Sequence, residues 1–158
     1  MEFANRIAAA WAAFMKNKLA LCNRHCNLQS RLKAFDAIVT PTALYGMASL
    51  TLRAEMEQKL MTTRRRMLRF IVGVRRGKEE TGVEYIRRAT HTSEELANKA
   101  GLRCWTHLQR SRKWNQAGKA ARCPDDRWCR RILEWKPWFK CDGPTVAPRN
   151  HSPKGSQK

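Results

Sequence analysis

Arginine is the residue type best supplied to do chemistry in this sequence, and its spacing points at phosphate. Arg64, Arg65, Arg66 and Arg69 fall in one stretch, and Arg75, Arg76 and Lys78 follow closely. A second group, Arg110, Arg112 and Lys113, stands beside Trp114. A guanidinium carries a rigid fork of N–H donors that matches two phosphate oxygens at once. An aromatic ring among such cations can stack on an unpaired base. The ordinary alternative is a charged face that merely keeps the chain in solution. Only Glu55 and Glu57 lie near the first group as acidic partners at helical spacing, so phosphate contact is the favoured reading.

Other reactive side chains form no comparable pattern. Cys22 and Cys26 flank His25, but a structural zinc site supplies a second ligand pair at short spacing, and the next cysteine is Cys104. Cys123, Cys129, Cys141 and His151 match no zinc knuckle or finger. Asp125-Asp126 could bind Mg²⁺ if it sat on a tight turn between apolar strands. It follows Cys-Pro and precedes Arg-Trp-Cys-Arg-Arg, which reads as a turn and a helix N-cap. No P-loop, GxGxxG, HExxH or GxSxG motif occurs. No catalytic residue, metal ligand or cofactor site is therefore expected in this chain, nor a small-molecule substrate.

Composition bounds the remaining choices. The chain has 158 residues, with 32 Lys+Arg against 13 Asp+Glu and a net charge of +19. That length suits one domain or part of one. Apolar residues make up 42%, enough for a helical core, and no run approaches the ~18 apolar residues a membrane span needs. An excess of positive charge on this scale favours nucleic acid ahead of anionic lipid, with small acidic substrates third. The charge is patchy: +7 over residues 51–78, −2 over 79–101 and +8 over 102–141. The first twenty residues lack the basic start and unbroken apolar core of a secretory signal, so the six cysteines read as reduced thiols of an intracellular protein. The basic clusters are compatible with nuclear import.

Apolar periodicity is helical nearly throughout. Ile7, Trp11 and Phe14 form one stripe, and Leu28, Leu32, Phe35 and Val39 a second that Pro41 should break or kink. Met56, Leu60, Thr63, Met67 and Ile71 form a third, ended by Gly73. On that helix Arg65, Arg66 and Arg69 should point away from the apolar face, with Arg64 at its border. Thr81–Glu84 and Thr92–Glu95 both fit capping boxes, and Gly101 ends the segment they begin. Trp105, Leu108 and Ala121 lie on a further helix. Trp128, Ile132 and Trp135 form the core face of a short last one. The expected fold is all-α, a small bundle of about six helices. Residues 142–158, nearly free of apolar side chains, should be a disordered tail.

The order of these segments resembles a known family. RIAAAWAAFMKNK, then LKAFDAIVTPTALYG (Leu32 to Gly46), then RRRMLRFIVG (Arg64 to Gly73) resembles the end of the polymerase domain of non-LTR (LINE-type) retrotransposon reverse transcriptases. KWNQAGKAAR (Lys113 to Arg122) and DDRWCRRILEWKP (Asp125 to Pro137) are similar to the segment that follows the thumb. Leu50, Gln116 and Lys119 depart from that pattern. The resemblance covers about residues 3–139 and implies a thumb-like helical region at 1–78, a basic, Trp-rich post-thumb region at 79–141, and the tail. It implies a nucleic-acid-binding fragment that grips the backbone of an RNA–DNA hybrid or duplex. Mg²⁺-dependent polymerisation belongs to the parent enzyme, an RNA-directed DNA polymerase whose palm is absent here. Two alternatives stand beside it. One is an assembly module that docks on the missing polymerase domains or another protein through Ile7, Trp11 and Phe14. The other is a relic product with no autonomous role.

Overall fold

The structure, a computed structural model, describes residues 2–124 together with Trp128, Arg131 and Ile132. It is all-α: α1 (Glu2–Lys16), α2 (Lys18–Leu21), α3 (Leu28–Leu44), a 3-10 turn (Met47–Ser49), α4 (Ala54–Val72), α5 (Gly82–Lys99) and α6 (Trp105–Ala121). No strand occurs among the described residues. Asp125, Asp126, Trp135 and the tail at 142–158 lie outside them.

The compact unit runs from Met1 to Lys119, and residues 120–158 form a second. Within the first, α1 packs along α3 and α4 along α5. Helices α4 and α5 both lie within it. Its core joins Phe3, Ile7 and Phe14 of α1 to Leu32, Phe35 and Val39 of α3 and Leu60, Met67, Leu68 and Ile71 of α4. Each set keeps to one side of its helix, which lets that face shed water along its length. Trp105 closes the core from α6. It is fully buried, lies parallel to Phe35 at 6.0 Å and donates its indole N–H to the Thr40 hydroxyl at 2.9 Å.

The α1 stripe is covered from within. Phe3, Ile7 and Phe14 are buried, and Trp11 meets Phe14 and Phe70 edge-on at 5.8 and 6.4 Å. The apolar face expected to need a partner surface is thus occupied by α3 and the end of α4.

Helix ends follow local chemistry. Gly73 caps α4 in the left-handed region at φ 65°, its N–H donating to the Arg69 carbonyl at 2.8 Å. Thr81 and Glu84 make the full capping box at the start of α5. The second expected box does not form, because Thr92 lies inside α5, which runs unbroken for 18 residues. There the Ser93 hydroxyl donates back to the Ala89 carbonyl, as an interior helical serine does. Pro41 neither ends nor precedes the end of α3 by a single step, since the helix continues to Leu44. In the second unit, Trp128 and Ile132 are 75% and 66% exposed, so neither is a core residue as their shared face suggested. The Arg131 guanidinium lies over the Trp128 ring at 5.4 Å.

Candidate nucleic-acid interface

The expected phosphate ligands divide into three structural groups. Arg64 is the clearest departure. It is 3% exposed, four residues after Leu60 and four before Leu68, and so stands in the core-facing stripe of α4. From there it cannot reach a phosphate. Its Nε and Nη2 are buried without a hydrogen-bond partner. Leu68 was the missing signal, because adding it to the apolar stripe widens the buried arc to include position 64.

Arg65 and Arg69 line the flank of α4 that meets α5. Arg65 Nε donates to Glu94 at 2.8 Å, and Arg69 Nη1 donates to the Thr90 hydroxyl at 2.9 Å. As numbers rise along α4 they fall along α5, which is the register of an antiparallel pair. Both helices place residues four apart on one face, so these two contacts form consecutive rungs of one seam. Arg66 is exposed, with its guanidinium over the Trp11 ring at 5.5 Å. Of the four α4 arginines, Arg66 is the most open to solvent, as the periodicity suggested.

The third group is open. Arg75, Arg76 and Lys78 sit exposed in the connection between α4 and α5. That connection is held in shape by Glu80, which no motif singled out. Its carboxylate accepts from Arg88 Nε at 2.8 Å, Arg88 Nη2 at 2.7 Å and the Gly77 N–H at 3.1 Å. Arg88 Nη2 also donates to the Arg75 carbonyl at 3.0 Å, and Arg76 Nε to the Glu80 carbonyl at 2.9 Å. The Arg88 fork, then the Gly77 N–H, hold the Glu80 carboxyl at about 2, well below its ordinary value of 4.5. The Tyr85 hydroxyl fastens the start of the loop by donating to the Val74 carbonyl at 3.0 Å.

On α6, Arg110 forks onto Glu57 with Nη2 distances of 2.6 and 2.9 Å. Lys113 donates to the Thr51 hydroxyl at 3.0 Å, while Arg112 and Trp114 are exposed, the latter by 76%. Trp114 therefore presents a free ring beside cations. Glu57 lies in the first turn of α4 and Arg75 beyond its last, so the two basic groups occupy opposite ends of that helix. At 1.5 Å of rise per residue, the stretch from Glu57 to Gly73 is about 24 Å long.

Two further arginines serve the fold. Arg31, buried on α3, donates from Nη1 to the Ile71 carbonyl at 2.7 Å, and Arg24 Nη2 donates to the Gly73 carbonyl at 3.3 Å. Both supply positive charge to the carbonyl end of α4, where the helix dipole is negative. Nothing in their local sequence marked them, because their acceptors lie 40 and 49 residues away.

Among the described residues no group of three His, Cys, Asp or Glu side chains could hold a metal ion, and no helix is long and apolar enough to cross a membrane. The Cys22 thiol faces the Phe70 carbonyl at 3.6 Å, and burial pushes its pKa up.

Over 137 residues the chain is 29% identical to an uncharacterized transposon-derived protein of Caenorhabditis elegans. The match covers 87% of this chain and 46% of that protein, so the chain spans about half the length of its relative. No family model matches the sequence, and no solved structure matches it.

Proposed function

We propose that this chain is a nucleic-acid-binding C-terminal piece of a non-LTR retrotransposon reverse transcriptase, a helical element that grips primer–template backbone beside the polymerase palm. One observation carries the reading. Two basic groups stand at opposite ends of one helix, the exposed Arg75, Arg76 and Lys78 at one end and Arg112 with the partly exposed Lys113 beside Trp114 at the other. A helix of about 24 Å between them spans roughly seven base steps at 3.4 Å each, a distance suited to touching one duplex backbone at two points. The similarity to a transposon-derived protein and the order of the sequence motifs support the same parentage. In this reading the chain catalyses nothing by itself, holds no cofactor of its own and acts inside the cell, with nuclear import through its basic clusters. Mg²⁺ chemistry belongs to the parent polymerase.

Fluorescence anisotropy with labelled RNA–DNA hybrid, DNA duplex and single strands tests it. The hybrid should bind best, and hybrids shorter than roughly seven base pairs should bind far more weakly because they engage one basic group at a time. Equal binding to every polyanion, with no dependence on length, rejects the reading.

A further inference from the structure

The loop between α4 and α5 carries an acid where a polyanion site should carry none. Glu80 stands among Arg75, Arg76, Lys78, Arg87 and Arg88, and a carboxylate in that company repels phosphate. Its side chain is only 15% exposed, while Glu79 beside it is open to solvent. The Glu80 charge is turned into the loop, and all three of its oxygens accept hydrogen bonds from neighbours on the loop or on α5.

Side chains tie down the loop backbone at four places. The Tyr85 hydroxyl donates to the Val74 carbonyl at 3.0 Å, and Arg88 Nη2 donates to the Arg75 carbonyl at 3.0 Å. The Glu80 carboxylate accepts from the Gly77 N–H at 3.1 Å, and the Glu80 carbonyl accepts from Arg76 Nε at 2.9 Å. Arg88 links these ties, because its fork also grips the Glu80 carboxylate at 2.8 and 2.7 Å. Both anchors on α5, Tyr85 and Arg88, lie in its first two turns, whose start the Thr81–Glu84 box fixes. A surface connection with few internal bonds samples many shapes. This one is held in one shape, and Arg75, Arg76 and Lys78 stand exposed upon it.

We propose that Glu80 is a positioning residue that sets the preference for a paired backbone: through Arg88 and the Gly77 amide it fixes the loop, so that Arg75, Arg76 and Lys78 match the regular phosphate spacing of a duplex. The inference rests on the nucleic-acid reading above and adds the device behind its preference for the hybrid. A single strand is flexible and adapts to cations in many arrangements, whereas a duplex holds its phosphates at set intervals. Cations already in place bind the duplex without the entropy loss of ordering them, and that advantage goes when the loop is freed. Charge by itself predicts the opposite sign, because removing an acid from a basic cluster raises the attraction for every polyanion.

Variants of the full chain separate position from charge in anisotropy titrations on an RNA–DNA hybrid and a single strand of equal length. Glu80→Ala removes a negative charge, and Arg88→Lys keeps the charge but removes the fork. Each should lower the ratio of hybrid to single-strand affinity by about tenfold, the order expected for ordering one or two long side chains on binding. Each should also speed hydrogen exchange at the Gly77 amide. Glu79→Gln, which removes the same charge one residue away, should leave the ratio at the parent value. Should Glu80→Ala not fold, Arg88→Lys decides by the same ratio. A parent chain that prefers the hybrid, with variants that keep that preference, overturns this proposal alone. A ratio that falls as far in Glu79→Gln overturns it too, because charge and not position then sets the preference. A parent chain with no preference for the hybrid overturns the nucleic-acid reading and this proposal with it.

Discussion

Neutralising two different sets of cations on α4 and its following loop should give opposite results. Arg75, Arg76 and Lys78 are exposed, and only Arg76 spends a side-chain N–H, its Nε, on the fold. Replacing all three by glutamine removes up to three phosphate contacts, so at about 0.9 per contact the slope of log affinity against log salt should flatten by up to about 2.7. Between about 50 and about 200 mM salt that is roughly 1.6 decades, so the variant should lose about 40-fold less affinity over the titration than the parent. Arg65 and Arg69 offer a control of similar charge. Arg65 spends its Nε on Glu94 and Arg69 its Nη1 on Thr90, across the seam with α5, and Arg65 is 42% exposed at its side chain. Arg65→Gln with Arg69→Gln should leave the slope nearly unchanged. It should instead lower stability by about 1–2 kcal/mol, the Arg65–Glu94 share discounted for its exposure to solvent. Anisotropy titrations on an RNA–DNA hybrid and urea denaturation of both variants measure the two effects. A seam variant that flattens the salt slope as much as the loop variant would refute the division of the arginines into structural and contacting groups.

The acid behaviour of the loop has a definite sign. Glu80 titrates at about 2 in the folded chain against 4.5 ordinarily, so its contribution is fully present above pH 4.5 and is lost as pH falls towards 2. The Gly77 amide, which donates to this carboxylate, should lose hydrogen-exchange protection over that window, and Glu80→Gln should remove the dependence. Trp105→Ala should cost about 3–5 kcal/mol in denaturant unfolding, as it empties a fully buried site and strands the Thr40 hydroxyl. Gly73→Ala should destabilise by about 1–2 kcal/mol in the same assay, since φ is 65° there and a Cβ would stand 3.1 Å from Arg24 Nη2.

Local chemistry was legible wherever one segment could satisfy itself. The stripe of Leu32, Phe35 and Val39, the glycine stop at Gly73 and the Thr81–Glu84 box each depend on residues within a few positions of one another. They appear as read. Thr92–Glu95 has the same local signature and yet sits in mid-helix. Once Ala89, Ser93 and Ala97 are buried along one face, packing of α5 outweighs the preference of a threonine for a cap.

The arginines mark the boundary between the two kinds of information. Composition fixes a charge of +19, and periodicity fixes which arginines share a helix. Neither says what lies opposite them. Arg31 and Arg24 become caps because the end of α4 comes to rest beside α3 and the turn before it. Arg65 and Arg69 become seam residues because α5 returns antiparallel with Glu94 and Thr90 in register. Arg64 becomes a buried charge because it falls in the core-facing stripe of α4, 3% exposed, with its Nε and Nη2 unpartnered. The sequence alone determined the all-α class, those helix ends that a local cap fixes, and the net positive charge. Only the tertiary structure decided which cations remain free to meet a phosphate, because pairing and burial depend on residues far apart in the chain.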